Sequence, residues 1–228
     1  MPTLLTRGQT YARIKYALDH KRPFSLVRIG DGENICLAQG SVWSTKRVLQ
    51  QPWAKKANRG KKGVTLPNLR LRNQMVAGIR SASVVGVLSP KDGLIRAPRH
   101  LKRSLTNAVF SFFRLSPRLT CDACINRYAP RDQQFWRLLR RRRILLISKD
   151  AKQTRTILAR KWGLKVVGTI EFTHYNQIPR TLKRIRALRS SFDLVLISTG
   201  VNAVILAPKI ARMTGKVALD FGKWHHKL

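Results

Sequence analysis

Six short apolar segments alternate with longer amphipathic segments along this chain of 228 residues, and this alternation limits the fold more than any other feature. The apolar segments lack the period-two pattern of a half-exposed strand, so each is expected to be buried on both faces. Buried strands separated by helices typically form a parallel sheet. We therefore predict an α/β fold, a single Rossmann-like domain over residues 1–228, whose mostly parallel sheet of about six strands carries helices on both faces. The strands are predicted at residues 24–29, 83–88, 143–148, 166–170, 192–198 and 216–220.

The charge balance limits the partners. The chain has 46 Lys and Arg residues against 10 Asp and Glu residues, a formal net charge of +36. Such a surface attracts polyanions, whether nucleic acid, anionic lipid, acidic polysaccharide or nucleotide phosphate. The basic residues are spread along the chain, including a stretch at 42–64 that we expect to be a basic covering segment of loop and helix. The run from Arg140 to Arg143 is expected to be a solvated corner.

Cysteine usage and hydropathy indicate a location. An odd count of three cysteines offers no disulfide framework and favours a reducing compartment. Cys121 and Cys124 have CxxC spacing but no second ligand pair nearby in sequence, so neither zinc nor redox chemistry is predicted. No apolar run resembles a signal peptide or a membrane span. We expect a soluble, cytoplasmic protein that could adhere to the inner membrane face through charge alone, with His225 and His226 frayed at the surface.

Two of the rare acids, Asp31 and Glu33, directly follow the first predicted strand, in the sequence Gly30-Asp31-Gly32-Glu33. Glycine allows a sharp turn or a close approach of backbone to a ligand. Open α/β sheets bind ligands at the carboxyl ends of their strands. Two carboxylates this close repel each other unless a positive charge lies between them, and a divalent cation holding a diphosphate fits. Asp-Gly is also a common turn dipeptide, so a solvated turn remains the alternative.

A second constellation lies near the end of the chain. The strand at 192–198 runs into Thr199-Gly200, and a helix begins close to Asn202. A glycine turn at a helix N-terminus favours phosphate, so all three residues are candidate ligand-binding residues. The alternative is a steric turn in which Asn202 serves as a helix cap. Asp220 ends the last predicted strand, where it could act as a general base or pair with neighbouring cations.

Together these segments resemble the GT-D fold glycosyltransferases, a bacterial family with a DxE motif. The specific match is Ser25-Leu26-Val27-Arg28-Ile29-Gly30-Asp31-Gly32-Glu33, and the segments 196–200 and 217–222 agree with it in order and separation. The resemblance implies transfer of a sugar from a nucleotide-sugar donor, expected to be a UDP-sugar. It also implies Mn²⁺ or Mg²⁺ held at Asp31 and Glu33.

The resemblance suggests roles for the residues around this motif. Backbone groups of Gly30 or Gly32 and the charge of Arg28 are expected to help hold the phosphates. Glu33 is counted as catalytic as well as metal-binding, because a metal-bound group eases departure of the diphosphate. Asp220 is expected to take the proton of the acceptor hydroxyl.

The partner on the acceptor side remains open at this point. The excess positive charge suits an anionic glycan or cell-wall acceptor, or docking on an anionic membrane surface. The alternatives are a basic protein that binds nucleic acid or another polyanion, and a catalytically inactive GT-D-like scaffold. No nucleic-acid-binding signature appears in the sequence, and the chain keeps both acids of the DxE motif.

Overall fold

A computed structural model describes residues 2–222, so His225 and His226 lie outside the described residues. Within this range the strands are β1 (Thr3–Leu4), β2 (Phe24–Ile29), β3 (Val84–Val87), β4 (Leu119–Asp122), β5 (Ile144–Ser148), β6 (Val166–Glu171), β7 (Leu194–Ser198) and β8 (Val217–Asp220). The α-helices are α1 (Arg7–Asp19), α2 (Asp31–Ala38), α3 (Thr45–Gln50), α4 (Pro52–Lys56), α5 (Leu69–Ser81), α6 (Arg103–Phe112), α7 (Ile125–Tyr128), α8 (Gln133–Leu139), α9 (Ala151–Trp162), α10 (Ile178–Ala187) and α11 (Ala203–Thr214).

The strands form one sheet in the order β1-β4-β3-β2-β8-β7-β5-β6, and every strand pair is parallel. The predicted α/β class, the parallel sheet and all six predicted strands are confirmed. The sheet also contains β1 and β4, so it has eight strands among the described residues rather than about six. Neither added strand contains an apolar run: β1 has two residues, and β4 reads Leu-Thr-Cys-Asp. Hydrophobic patterning therefore could not reveal them.

Helices cover both faces of the sheet and bury a separate core on each. The residues of β5 alternate between the two cores: Leu145 and Ile147 face one, while Ile144 and Leu146 face the other. The first core is completed by α2, α5, α6, α10 and α11, and the second by α1, α8 and α9. This double burial explains why the strands are apolar throughout.

Helices α5 and α11 cross at an unusually short distance. A Cβ atom added at Gly78 would lie 2.2 Å from the carbonyl oxygen of Val204. Only glycine allows the two backbones to approach this closely. The contact fixes α11 against the sheet, and α11 begins directly after the turn that follows β7.

The basic segment predicted at 42–64 contains α3, α4 and a π-helical turn, Ala57–Lys61, interrupted at Gly60 with φ of 75°. Its apolar side chains Val48, Ala54 and Ala57 are buried, while its lysines and arginines are mostly exposed. In the part of the chain that the structure describes, no helix is both long and apolar enough to cross a bilayer.

Candidate active site at the carboxyl edge of the sheet

Both constellations predicted from sequence lie at one edge of the sheet. Strands β2, β8 and β7 are neighbours and run parallel. Their carboxyl ends therefore place the segments 30–33, 220–222 and 198–202 side by side, although residues 30 and 222 are 192 positions apart in sequence. The ligand-binding site expected at the end of β2 thus also contains the residues of the second constellation near the end of the chain.

Asp31 and Glu33 occupy the first turn of α2 rather than a free turn before it. The helix begins at Asp31, with Gly30 as its N-cap residue. Glu33 Oε2 accepts a hydrogen bond of 2.9 Å from the backbone N–H of Gly30. The backbone of Gly30, expected to hold phosphate, is therefore engaged by Glu33. Helix N-termini favour negative charge, which helps to keep both half-buried carboxylates in place.

The surroundings of Glu33 disfavour its ionised form, so a positive charge nearby would stabilise the carboxylate. The pKa of Glu33 is raised to about 7, chiefly by burial and also by the neighbouring carboxylates of Asp220 and Asp31, while Arg28 opposes the increase. Within residues 2–222 no group of three or more His, Cys, Asp or Glu side chains could hold a metal ion. Two carboxylates nevertheless fit Mg²⁺ or Mn²⁺, because such ions often take one or two protein carboxylates and complete their shell with phosphate and water oxygens.

Arg28 and Asp220 form a buried ion pair behind Glu33. Arg28 Nη2 lies 2.9 Å from Asp220 Oδ1, and the side chain of Asp220 is only 2% exposed. Arg28 also donates to the carbonyl oxygens of Asp220 and Ala123 and to Asn126 Oδ1. Its guanidinium group is thus largely engaged within the protein, and it ties the ends of β2 and β8 to α7. Few of its N–H groups remain for the contact with phosphate that we expected.

Asp220 has a second internal partner. Its Oδ1 accepts the N–H of Gly222 at 3.1 Å, and burial raises its pKa although Arg28 opposes the change. A Cβ atom at Gly222 would lie 2.2 Å from Arg28 Nη2, and the φ of 57° also favours glycine there. The backbone at Gly222 therefore packs closely against the ion pair. This geometry fits a positioning role for Asp220 better than proton transfer, and its role as the base stays a prediction.

The turn after β7 contains two buried oxygens that accept no hydrogen bond from residues 2–222. Asn202 is fully buried, and its Nδ2 donates to the carbonyl oxygens of Gly63 at 3.0 Å and Thr199 at 3.3 Å. These two acceptors fix the orientation of the amide, because a flipped amide would place oxygen against oxygen. Among the described residues, Asn202 Oδ1 and Thr199 Oγ1 then have no hydrogen-bond partner. Gly200, with φ of 60°, is exposed beside them.

This arrangement changes the ligand expected at Asn202. A carboxamide oxygen only accepts hydrogen bonds, so phosphate oxygens cannot satisfy it. A ligand N–H or O–H group, or a water molecule, can. The sequence argument for phosphate here considered only the helix N-terminus, which does not predict the direction of the amide.

Trp53 belongs to the site and was missed. Its indole ring packs on Gly32, where an added Cβ atom would lie 2.6 Å from Cε2 and Nε1 of the ring. This contact is a steric reason for glycine between the two acids, besides the expected backbone contact with phosphate. The only signal in the sequence was an aromatic residue in a basic segment, which is too weak to place it beside Gly32.

The rare acids are distributed unevenly over the molecule. All ten lie within the described residues, and five of them form salt bridges: Asp19, Asp92, Asp132, Asp193 and Asp220. The five without a basic partner in residues 2–222 are Asp31, Glu33, Asp122, Asp150 and Glu171. Each of these five lies at or within four residues of the carboxyl end of a strand. Within residues 2–222, the acids without a salt bridge thus lie at the edge that carries the candidate site.

Comparison with known proteins gives a consistent result. A family model described as a GT-D fold-like domain matches residues 5–228. Among solved structures, a glycosyltransferase (domain of unknown function 1792) from Streptococcus sanguinis is similar with a TM-score of 0.63 and 15% identity, covering 99% of this chain and 82% of that chain. A second, described as a domain of unknown function 1792 with a distinct glycosyltransferase fold, has a TM-score of 0.62 and 14% identity over 98% of this chain and 79% of that one. No curated protein sequence matches.

Proposed function

The chain belongs to the GT-D fold-like domain family, and from this premise we propose that it is a glycosyltransferase that uses a nucleotide-sugar donor and a divalent cation. The observation that carries the proposal is the pair of unneutralised carboxylates, Asp31 and Glu33, at the carboxyl edge of a glycosyltransferase-like fold. In a protein with a net charge of +36, a role in holding a cation is the best explanation for two neighbouring carboxylates of this kind.

Asp31 and Glu33 would hold Mn²⁺ or Mg²⁺ together with the diphosphate of the donor. When bound, the cation neutralises the negative charge that develops on the leaving diphosphate. Glu33 is kept in place by its hydrogen bond to Gly30, and Arg28 and Asp220 lie behind it as a neutral pair. The hydrogen bond from Gly30 fixes the direction of the Glu33 carboxylate before the ligand arrives.

We assign the nucleoside part of the donor to the turn after β7. The buried oxygens of Thr199 and Asn202 accept hydrogen bonds, and a uracil ring offers an imide N–H while ribose offers hydroxyl groups. A UDP-sugar therefore suits the turn. Gly200 leaves the space beside these oxygens open, because it has no side chain.

The reaction itself replaces one bond to the sugar by another. The acceptor oxygen bonds to the anomeric carbon, the bond from that carbon to the diphosphate oxygen breaks, and the acceptor hydroxyl proton passes to a base. Protonation of Asp220 would remove the negative charge that pairs with the buried Arg28, so we assign Asp220 to positioning. Glu33, with a pKa of about 7, can accept a proton near neutral pH only when it does not ligate the cation.

Calorimetric titration with UDP, with and without Mn²⁺, tests the proposal. The parent is compared with the double variant Asp31→Asn/Glu33→Gln. The control is Asp19→Asn/Asp193→Asn, which removes the same two charges from exposed ion pairs that precede β2 and β7 at the opposite edge. We expect the parent and the control to bind UDP in a Mn²⁺-dependent manner and the site variant to lose this dependence.

Two results would contradict the proposal. UDP and UDP-sugars could fail to bind the parent with any divalent cation, or the site variant and the control could lose binding equally. If UDP binds but no UDP-sugar is ever consumed, the chain is a nucleotide-binding scaffold without activity. The nucleic-acid alternative predicts instead tight, salt-sensitive binding of oligonucleotides that ignores both Mn²⁺ and UDP.

A further inference from the structure

We propose that residues 44–62, the basic arm, together with Trp53 at its centre, form the acceptor site, and that the acceptor is an anionic glycan. The inference rests on the proposed sugar transfer and adds the class of the second substrate. It is carried by three observations: the charge of the arm, its attachment beside the carboxylates, and the position of one indole ring.

The arm lies in the longest part of the chain without an acid. No Asp or Glu lies between Glu33 and Asp92, while eleven Lys and Arg residues do. Six cations of the arm are exposed and form no salt bridge within residues 2–222: Lys46, Arg47, Lys55, Lys56, Arg59 and Lys61. The arm therefore attracts an anionic chain along its length, because it carries no carboxylate of its own.

The structure attaches the arm directly to the candidate site. At its centre, the ring of Trp53 packs on Gly32, between the two carboxylates in sequence. Just past its end, the carbonyl oxygen of Gly63 accepts from Asn202 at 3.0 Å and from the N–H of Tyr175 at 2.8 Å. The arm thus bridges the end of β2 and the turn after β7. A polymer bound along it is led to the edge where the donor is expected.

Trp53 adds an aromatic surface to the arm, and this surface suits a sugar ring better than a charged side chain alone would. Its side chain is only partly buried, so part of the indole remains accessible beside Gly32. Aromatic rings provide a flat apolar surface that can pack against the C–H face of a sugar ring. Lys62 Nζ lies 6.0 Å from the centre of the same indole. An aromatic ring with a cation at its face matches a sugar unit that carries a carboxylate or phosphate group.

A membrane surface and single-stranded nucleic acid fit the arm less well than an anionic glycan does. A helix that binds a membrane presents an apolar face to the lipid, but Val48, Ala54 and Ala57 are buried in the protein. Surfaces for single-stranded nucleic acid usually offer successive aromatic rings for stacking. The arm contains a single aromatic ring, Trp53, and the ring of Trp43 just before the arm is only 8% exposed.

The test measures binding of a fluorescent oligogalacturonate, without nucleotide or metal, by anisotropy at several salt concentrations. The arm variant is Lys55→Gln/Lys56→Gln/Arg59→Gln. The matched control, Arg140→Gln/Arg141→Gln/Lys165→Gln, removes three exposed charges next to the amino ends of β5 and β6, at the opposite edge. If each lost contact changes the slope of log affinity against log salt by about 0.7, the arm variant flattens the slope by about 2. The control should leave it unchanged.

Trp53→Ala and Trp53→Phe separate packing from charge. We expect Trp53→Ala to weaken oligogalacturonate binding by about tenfold, and Trp53→Phe to restore most of it, because a smaller aromatic ring still packs against a sugar. The same variants are tested with an oligothymidylate of equal charge and with vesicles containing phosphatidylglycerol.

The proposal is overturned if the arm variant and the control weaken oligogalacturonate binding equally. It is also overturned if only the oligonucleotide or only the vesicles respond to the arm variant. Mn²⁺-dependent UDP binding is measured on every variant, and the arm variant should retain it. Loss of glycan binding with UDP binding intact concerns the acceptor alone, whereas a parent that never binds UDP refutes the donor proposal independently.

Discussion

Replacing Glu33 by glutamine should stabilise the fold while removing the ability to hold a cation. The pKa of Glu33 is about 7 in the folded protein and 4.5 ordinarily. At 1.36 kcal/mol per pKa unit, this difference makes the ionised form cost about 3 kcal/mol of folding free energy. Glu33 is half-buried, so water reduces the cost, and we expect a gain of about 1–3 kcal/mol. Glutamine can still accept the N–H of Gly30.

The pH dependence identifies the cause of this gain. A raised pKa means that the folded state binds more protons than the unfolded state between pH 4.5 and 7, so stability from this group falls as pH rises. Urea unfolding at pH 4.5, 6, 7 and 8 should therefore find parent and Glu33→Gln nearly equal at the lowest pH. The difference should grow until it levels off above pH 7. Adding Mn²⁺ at pH 8 should stabilise the parent and not the variant.

Glu171→Gln is the control, because it removes one negative charge from an exposed position at the end of β6. If it produced the same increase in stability, the effect would come from the net charge and not from the surroundings of Glu33. Two results would refute the argument that the fold disfavours the ionised form of Glu33. One is a gain in stability from Glu33→Gln that does not change with pH, and the other is a loss of stability at pH 8.

Other substitutions and conditions test the packing and the field. Gly222→Ala should cost about 2–4 kcal/mol, from the positive φ and the clash with Arg28, and should lower the melting temperature in calorimetry. Gly78→Ala should cost about 1–3 kcal/mol, because α5 must move away from the carbonyl oxygen of Val204; no loss would mean that the helices are not in contact as described. Between 50 and 300 mM NaCl, Mn²⁺ binding should weaken far less than oligogalacturonate binding, since salt also screens the repulsion between the cation and the net charge of +36. Parallel weakening of both ligands, measured by titration, would contradict the local origin of the cation site.

The sheet was predictable because its central strands are buried on both faces. A strand such as β7, Leu194–Ser198, must be apolar throughout, and that run is visible in the sequence alone. Edge strands carry no such requirement. β1 pairs with β4 at the margin of the sheet through two residues, and their pattern does not differ from that of a loop. The order of the strands follows from crossover connections that no local pattern encodes.

The candidate site was predictable to the same degree and for a related reason. Asp31, Glu33 and Asp220 could be placed because each follows or ends an apolar run, and parallel strands bring their carboxyl ends to one edge. Their partners could not be placed. The bond from Arg28 to Asp220 and the packing of Trp53 on Gly32 join residues through the third dimension, so their roles appear only in the folded chain.

The distribution of acids connects the charge of the protein with its site. In water with physiological salt, charges farther apart than about 8 Å are largely screened, so the overall charge does little to set the potential at one point. What matters there is the nearest set of groups. Around Glu33 these are Asp31, Asp220 and Arg28, and together with Glu33 they sum to two negative charges when all are ionised. The basic arm itself carries cations and no carboxylate. Adjacent regions of one edge thus offer a cation and a polyanion separate places to bind, and a transfer between an activated sugar phosphate and an anionic acceptor needs both.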